Sequence, residues 1–224
     1  MRFSWHCRLG DDVIVERPQS LGEEIANSVS HGIACVAAIV ALPILLSSMQ
    51  GHETTNVVGA AIFATSMVML YLASTLYHAL PVGRAKRVFR KLDHGAIYVF
   101  VAGSYTPFAL GPLSGPWGWS LFGSVWALAI VGVTLKSVDR LTSPWMSTGL
   151  YLFMGWLAVV AAVPLLDRVP LPGVILLVAG GLAYTAGVVF FILDERLRYA
   201  HTAWHGFVIA GSVCHFFAVL GYAV

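Results

Sequence analysis

Three histidines have the residue type and spacing of a metal site. His201 and His205 lie four residues apart in "HTAWH", so they share one face of a helix. His78 ends the stretch "STLYH", in which Ser74 precedes it by the same step. Neutral imidazole is a common zinc ligand, and three protein ligands with water in the fourth position are typical of catalytic zinc. The histidines therefore predict a Zn²⁺ site of the catalytic kind.

Such a site also needs a base, because "HTAWH" has Thr202 where the metalloprotease pattern HExxH has its glutamate. Asp93, in "KLDHG", is the candidate base, and Ser74 is placed to hydrogen-bond the water in the fourth position. Simpler interpretations stay open for each residue taken alone. A single histidine in an apolar helix usually makes an interhelical hydrogen bond, and serine often bonds back to its own helix. Asp93 can also pair with Lys91 or Arg90.

The elements that carry these residues are apolar enough to lie in a membrane. The chain has 224 residues, of which 58% are hydrophobic and only 11% are charged, which excludes a water-soluble domain. Runs of about 20 apolar residues, the length that crosses a bilayer, follow one another along the chain. We predict an all-α, seven-helix membrane domain over residues 25–224, after a short cytoplasmic segment, residues 1–24. The predicted spans are Ile25 to Met49, Val57 to Leu80, Leu92 to Leu110, Trp119 to Leu135, Trp145 to Leu165, Gly173 to Leu193 and Ala200 to Tyr222.

The lysines and arginines predict the orientation, because short loops rich in positive charge stay in the cytoplasm. With a cytoplasmic N-terminus and an outer C-terminus, Arg168 is the one basic residue of 13 that falls outside. The basic loop "GRAKRVFRK" could also contact nucleic acid or anionic lipid, but a topology signal is the simpler interpretation, and no nucleic-acid partner is expected. In this orientation His78, Asp93, His201 and His205 all lie at one depth, near the cytoplasmic leaflet.

Other polar residues are left without a predicted role. Glu24, Asn27 and His31 recur at steps of three and four and share a face of the first span, and His94 follows Asp93 directly. His215 lies ten residues beyond His205, or about 15 Å along the helix, so it cannot bind the same ion; we expect it in the core or in a substrate cavity. We expect exposed side chains at His6 and His52, and inert thiols at Cys7, Cys35 and Cys214. The first span starts too far from the N-terminus for a cleavable signal peptide.

The chain resembles a known family in four stretches: "EEIANSVSH", "STLYH", "KLDHGAIYVFVAGSYTP" and "HTAWHGFVIAGSVCHF". They look like the hemolysin III family, which is grouped with the progestin and adipoQ receptors and more distantly with alkaline ceramidases. The resemblance extends from Glu23 to Val224. It implies a multi-pass protein of the cell membrane with zinc held by His78, His201 and His205, and with Asp93 and Ser74 around the water.

Hydrolysis of a lipid amide or ester is the function we predict. Zinc lowers the pKa of its water towards 7, and Asp93 would take the proton while the hydroxide attacks a carbonyl. A site among helices is reached from lipid more readily than from bulk water, so membrane lipids are the expected partners. Two alternatives stay open. One is a lipid-sensing receptor or membrane regulator with structural zinc. The other is a cytolytic protein, but a chain with seven apolar spans should insert in the membrane of the producing cell instead of being secreted in soluble form. Composition does not decide the oligomeric state.

Overall fold

The computed structural model describes residues 17–141 and 143–223, and their regular structure is entirely helical. The elements are α1 (Leu21–Ser48), α2 (Thr54–Ala79), α3 (Arg84–Leu110), α4 (Pro116–Ser137), α5 (Pro144–Trp156), a 3-10 turn (Leu157–Ala161), α6 (Ala162–Arg168), α7 (Leu171–Leu193) and α8 (Ala200–Tyr222). The 3-10 turn joins α5 to α6, so that the eight helices form seven rods. The all-α prediction is confirmed.

The outer surface of the bundle is apolar, as contact with lipid requires. Ile33, Val36 and Val163 are 68%, 63% and 70% exposed, values that a water-soluble fold would rarely give to side chains of this kind. Six segments of the described chain are long and apolar enough to cross a membrane, and the chain is a multi-pass membrane protein. These segments are Leu21–Ser48, Thr54–Ala79, Pro116–Ser137, Trp145–Arg168, Leu171–Leu193 and Ala200–Tyr222.

The third predicted span differs from the other six. Helix α3 is 27 residues long and starts at Arg84, eight residues before the predicted Leu92, because the basic loop continues the helix instead of preceding it. The helix is long enough to cross a bilayer, but it is not apolar enough to be one of the six segments named above. The reason is its polar first part, since its first eleven residues include Arg84, Lys86, Arg87, Arg90, Lys91, Asp93 and His94.

The fifth predicted span is a broken rod. Residues 157–161 wind as a 3-10 turn, and Pro164 follows in the first turn of α6. Proline has no N–H, and its ring clashes with the carbonyl of the residue four positions earlier, here Val160, so the α-helical pattern is interrupted at this point. The last predicted span, by contrast, coincides with α8 from Ala200 to Tyr222.

Small residues let the helices approach closely. Helix α1 packs along α2 and α8, α2 along α3, α3 along α4, and α7 along α8. Where α2 meets α3, a Cβ atom on Gly59 would lie 2.9 Å from the Cα atom of Pro107. A backbone atom cannot move aside as a flexible side chain can, so this contact fixes how closely the two helices pack.

Gly59→Ala should therefore destabilise the protein. We expect a loss of about 1–3 kcal/mol, the usual cost of overpacking, and a lower midpoint of thermal unfolding in detergent. Gly123→Ala in α4 is the matched control, since no atom lies within 4 Å of its Cβ position and alanine is the better helix former. Equal unfolding midpoints for the two variants would contradict the close contact.

Candidate metal centre

Three histidines meet at the end of the bundle where α2 ends and α8 begins. His78 and His205 are buried and His201 is half-buried, and one ligand atom from each lies within 4.8 Å of the others. The ring centroids are 4.8 Å apart for His201 and His205, and 5.1 and 5.2 Å apart for the pairs with His78. The three side chains are close enough to bind one metal ion, as their spacing predicts.

His78 is held in the orientation that a metal ligand needs. Its Nδ1 atom lies 2.8 Å from a carboxylate oxygen of Glu24, whose other oxygen lies 2.8 Å from Nζ of Lys86. A carboxylate only accepts hydrogen bonds, so Nδ1 of a neutral His78 carries the proton and Nε2 keeps its lone pair. That Nε2 atom is buried and has no hydrogen-bond partner among the described residues. Such outer partners fix the tautomer of metal-binding histidines in general.

His201 is held in the same way by a residue outside the helices. Its Nδ1 atom lies 3.2 Å from Asp194, which follows α7 directly and also accepts a hydrogen bond of 2.9 Å from Gln19. Burial acts to raise the pKa of the Asp194 carboxyl, but the hydrogen bonds and the charges of His201 and Arg17 together hold it below its usual range. The carboxylate is therefore ionised at neutral pH and accepts from Nδ1 of His201, so that in a neutral ring the lone pair is on Nε2.

His205 has a hydroxyl as its outer partner. The Ser30 hydroxyl donates to the backbone oxygen of Asn27 at 2.9 Å, so its oxygen can accept from Nδ1 of His205 at 3.1 Å. In a neutral His205 ring the lone pair is then on Nε2. In their neutral forms all three rings thus direct a lone pair away from their outer partners, and the donor set fits zinc.

Asp93 and Ser74 are buried beside the histidines. The Ser74 hydroxyl oxygen lies 2.7 Å from Nδ1 of His31, and Ser74 and Asp93 line the same cavity. The structure does not pair Asp93 with Lys91, whose Nζ atom lies 2.6 Å from Asp139. The carboxylate is therefore directed into the bundle, where the proposed base is needed.

An apolar cavity of about 440 Å³ extends from this cluster. His201, His205, Asp93 and Ser74 line it, whereas His78 lies behind them and outside the lining. Most of the remaining wall is aliphatic or aromatic, and it is contributed largely by α3, by the broken rod α5–α6 and by α7. Cavities of this size and lining are typical of sites for small apolar ligands.

The other singled-out residues have the following positions. His215 lines the cavity and its Nε2 atom lies 3.3 Å from the Leu177 oxygen, in agreement with the predicted core or cavity role. His94 also lines the cavity, and His52 is exposed. Cys35 and Cys214 are free thiols, the first buried and the second half-buried. His6 and Cys7 lie outside the described residues.

Sequence reasoning missed two of the three outer partners. Glu24 shares a face of the first span with Asn27 and His31 but has no predicted role, and no sequence pattern marks Asp194 or Ser30. Asp194 precedes His201 by seven residues across a turn, and Ser30 sits next to His31 in an apolar helix. Chemistry gives one signal for such residues, because a metal-binding histidine generally has a hydrogen-bond acceptor at its second nitrogen.

A multi-pass helical membrane protein with a buried three-histidine cluster and an apolar cavity is the class that these features define. Residues 19–216 match the family "Haemolysin-III related", and the chain belongs to that family. It is 43% identical to Hemolysin-3 of Bacillus cereus over 92% of this chain and 94% of the relative. It is 40% identical to a Hemolysin-3 homolog of Bacillus subtilis (strain 168), over 92% of this chain and 96% of that relative. It is 27% identical to the human Monocyte to macrophage differentiation factor, over 89% of this chain and 84% of that relative. No solved structure matches the chain.

Glu24→Gln tests the outer partner of His78. The neutral amide can offer its N–H₂ to Nδ1 and so reverse the tautomer, and we expect the dissociation constant for Zn²⁺ to rise about 10–100-fold. Competition with a chromophoric chelator in detergent measures this constant. Glu53→Gln, an exposed carboxylate at the start of α2, should bind zinc like the unchanged protein. Equal affinity in both variants would exclude an orienting role for Glu24.

Proposed function

We propose that the protein is a membrane-embedded zinc hydrolase of a lipid amide or ester. The observation that carries the proposal is the convergence of ring nitrogens from three histidines next to Asp93 and Ser74, at one end of an apolar cavity. His78, His201 and His205 would bind the metal. The apolar wall supplies the place for an acyl chain.

Each residue then has a defined task. A zinc ion held by the three histidines would supply a water of lowered pKa and a Lewis acid for a carbonyl oxygen. The Asp93 carboxylate would accept a proton at one of its oxygens. Ser74 lies beside Asp93 in the cavity lining, and its hydroxyl would hold the carboxylate in place. The cavity wall binds the acyl chain, keeps bulk water away and brings the carbonyl to the same end as the base.

Asp93→Asn tests the assignment of the base. The amide cannot accept the proton, so hydrolysis of long-chain amides and esters by the purified protein should fall at least about 100-fold, the lower end of what general-base catalysis contributes. Bound zinc, measured by elemental analysis, should stay near one ion per chain in this variant and be lost in His201→Ala.

Three outcomes separate the proposal from its rivals. Unchanged turnover in Asp93→Asn would refute the base. Zinc binding and lipid binding without any turnover in the unchanged protein would favour a receptor with structural zinc. An unchanged protein without bound metal would remove the premise of the mechanism.

We also propose seven spans with the N-terminus in the cytoplasm, α3 being the third span. Two observations support this orientation: α3 is long enough to cross, and 12 of 13 lysines and arginines fall on the inner side in that arrangement. The histidine cluster then lies near the cytoplasmic leaflet.

Cysteine labelling in intact cells tests the orientation. His52→Cys, in the turn between α1 and α2, should react with a membrane-impermeant maleimide added outside. Asp139→Cys, in the turn after α4, should react only after the membrane is permeabilised. The unchanged protein, whose described cysteines lie within helices, gives the background. The reverse pattern would overturn the orientation, and labelling of both from outside would overturn the span count.

A further inference from the structure

Lys136, near the end of α4, is a cation in the wall of the apolar cavity that the proposed mechanism leaves unused. Among the described residues that line the cavity, it is the one lysine or arginine. Its side chain is half-buried, and its Nζ atom donates to the Leu141 oxygen and to Oγ of Ser147, both at 3.3 Å. A lysine near the end of a membrane helix usually extends its charge into water. These two bonds instead hold the ammonium group against the first turn of α5, beside the cavity.

The support of Lys136 belongs to a packed part of the bundle. Oγ of Ser147 also accepts a hydrogen bond from the hydroxyl of Tyr98, which is fully buried. The Tyr98 ring packs against the Tyr151 ring, with centroids 4.4 Å apart, and the Tyr151 hydroxyl donates to the His94 backbone oxygen at 3.2 Å. Helices α3, α4 and α5 are thus linked around the ammonium group, which gives it a defined position in the cavity wall.

Lys136 lies at the same end of the cavity as the histidine cluster. Lys91, near the start of α3, donates to the Ser137 oxygen at 3.1 Å, so the end of α4 adjoins the start of α3. The α3 residues that line the cavity extend from Asp93 to Phe108, which is about 22 Å along the helix. The cavity therefore has a polar end, with the metal ligands and a cation, and enough length beyond it for a long acyl chain.

We infer that Lys136 binds a carboxylate on the amine part of the substrate, which makes long-chain N-acyl amino acids the substrate class. This inference rests on the proposed function for the position of the scissile carbonyl. With that carbonyl at the histidine cluster and the acyl chain along the apolar wall, the amine part of the amide lies at the polar end with Lys136. A carboxylate there accepts a charge-assisted hydrogen bond from the ammonium group. One cation also matches the single negative charge of a carboxylate better than the double charge of a phosphate monoester.

The charges at the polar end also give the ligand its direction. The Asp93 carboxylate lines the same end and repels a second anion, so the carboxylate of the ligand is favoured on the side of Lys136. A neutral amide of the same shape can still form a hydrogen bond there, but bonds between neutral groups are roughly half as strong. The cavity should therefore distinguish an anionic fatty amide from its neutral counterpart.

Binding of a matched ligand pair to the zinc-loaded, full-length protein tests the inference. N-dodecanoylglycine and N-dodecanoylglycinamide differ only in a carboxylate against a neutral amide, and calorimetry in nanodiscs of zwitterionic lipid gives the affinity for each. We expect the unchanged protein to bind the anionic ligand at least about 10-fold more tightly, the usual effect of a hydrogen bond between charged groups. Comparison of this affinity ratio between variants cancels any difference in how the two ligands partition into lipid.

Three variants separate the charge of Lys136 from its shape. Lys136→Met keeps much of the length without the charge, Lys136→Gln keeps N–H donors that can still bond the Leu141 oxygen, and Lys136→Arg keeps the charge. The preference should fall to about one in the two neutral variants and persist in Lys136→Arg, with zinc content unchanged in all three. If Lys136→Met does not fold, Lys136→Gln alone decides the comparison. Lys91→Met is the matched control and should retain the full preference, because Lys91 pairs with the exposed Asp139 at the same end of the bundle.

The outcomes distinguish this inference from the proposed hydrolysis. Equal binding of the two ligands by the unchanged protein overturns the role of Lys136. A preference that persists in the neutral variants also overturns it, and if that preference disappears when zinc is removed, the metal binds the carboxylate. Equal loss of both ligands in all three variants would mean that Lys136 only supports the shape of the cavity. A preference that depends on Lys136 without any hydrolysis upholds the inference while the proposed function fails.

Discussion

Ionisable side chains buried among apolar helices must each find a partner, and the polar end of this bundle is organised by that requirement. An unpaired polar or charged group in such surroundings costs several kcal/mol, which is a large part of the stability of a domain. Each candidate metal ligand accordingly has an outer acceptor, and one of these acceptors, Glu24, has its own cation in Lys86. The positions of the three rings are thus a consequence of satisfying the groups around them.

Helix α1 supplies most of these partners. Glu23 caps its own helix through Ser20, pairs with Arg17 and accepts from the backbone N–H of Tyr199 at 3.1 Å. Tyr199 is the residue before α8 and has φ of 60°, a left-handed conformation that is unfavourable for a tyrosine. The bond to Glu23 helps to hold that turn. Because His201 follows two residues later, the start of α1 also fixes the start of the helix that carries two of the three histidines.

The sequence predicts the helices and the three histidines well, because both depend on local patterns. The four-residue step of His201 and His205 places them on one face of any helix, and long apolar runs identify spans without knowledge of the fold. The outer partners of the histidines, by contrast, depend on the tertiary fold. Asp194 lies only seven residues before His201, but which acceptor holds that ring is decided once α8 folds back along α7.

Two details of the helices are also not predictable from the sequence pattern. Helix α3 includes the basic stretch that the sequence predicts as a loop, so its polar composition is that of the stretch and the span together. Pro164 is visible in the sequence, but proline is tolerated in the first turn of a helix and not in its interior, so its effect depends on where the helix begins. In the structure a new helix begins at Ala162, after the 3-10 turn of residues 157–161.

The two sides of the cavity differ in how firmly they are held. The candidate metal ligands and their acceptors lie on α1, α2 and α8 and in the turn before α8, where side-chain hydrogen bonds link one element to the next. The opposite wall includes the broken rod α5–α6, which packs sparsely and exposes Val159, Val160 and Val163. Regions with few buried contacts open at lower free energy than well-packed ones. The hydrogen bonds that orient the histidines therefore do not run through the broken rod, since the two sides of the cavity are separate helices.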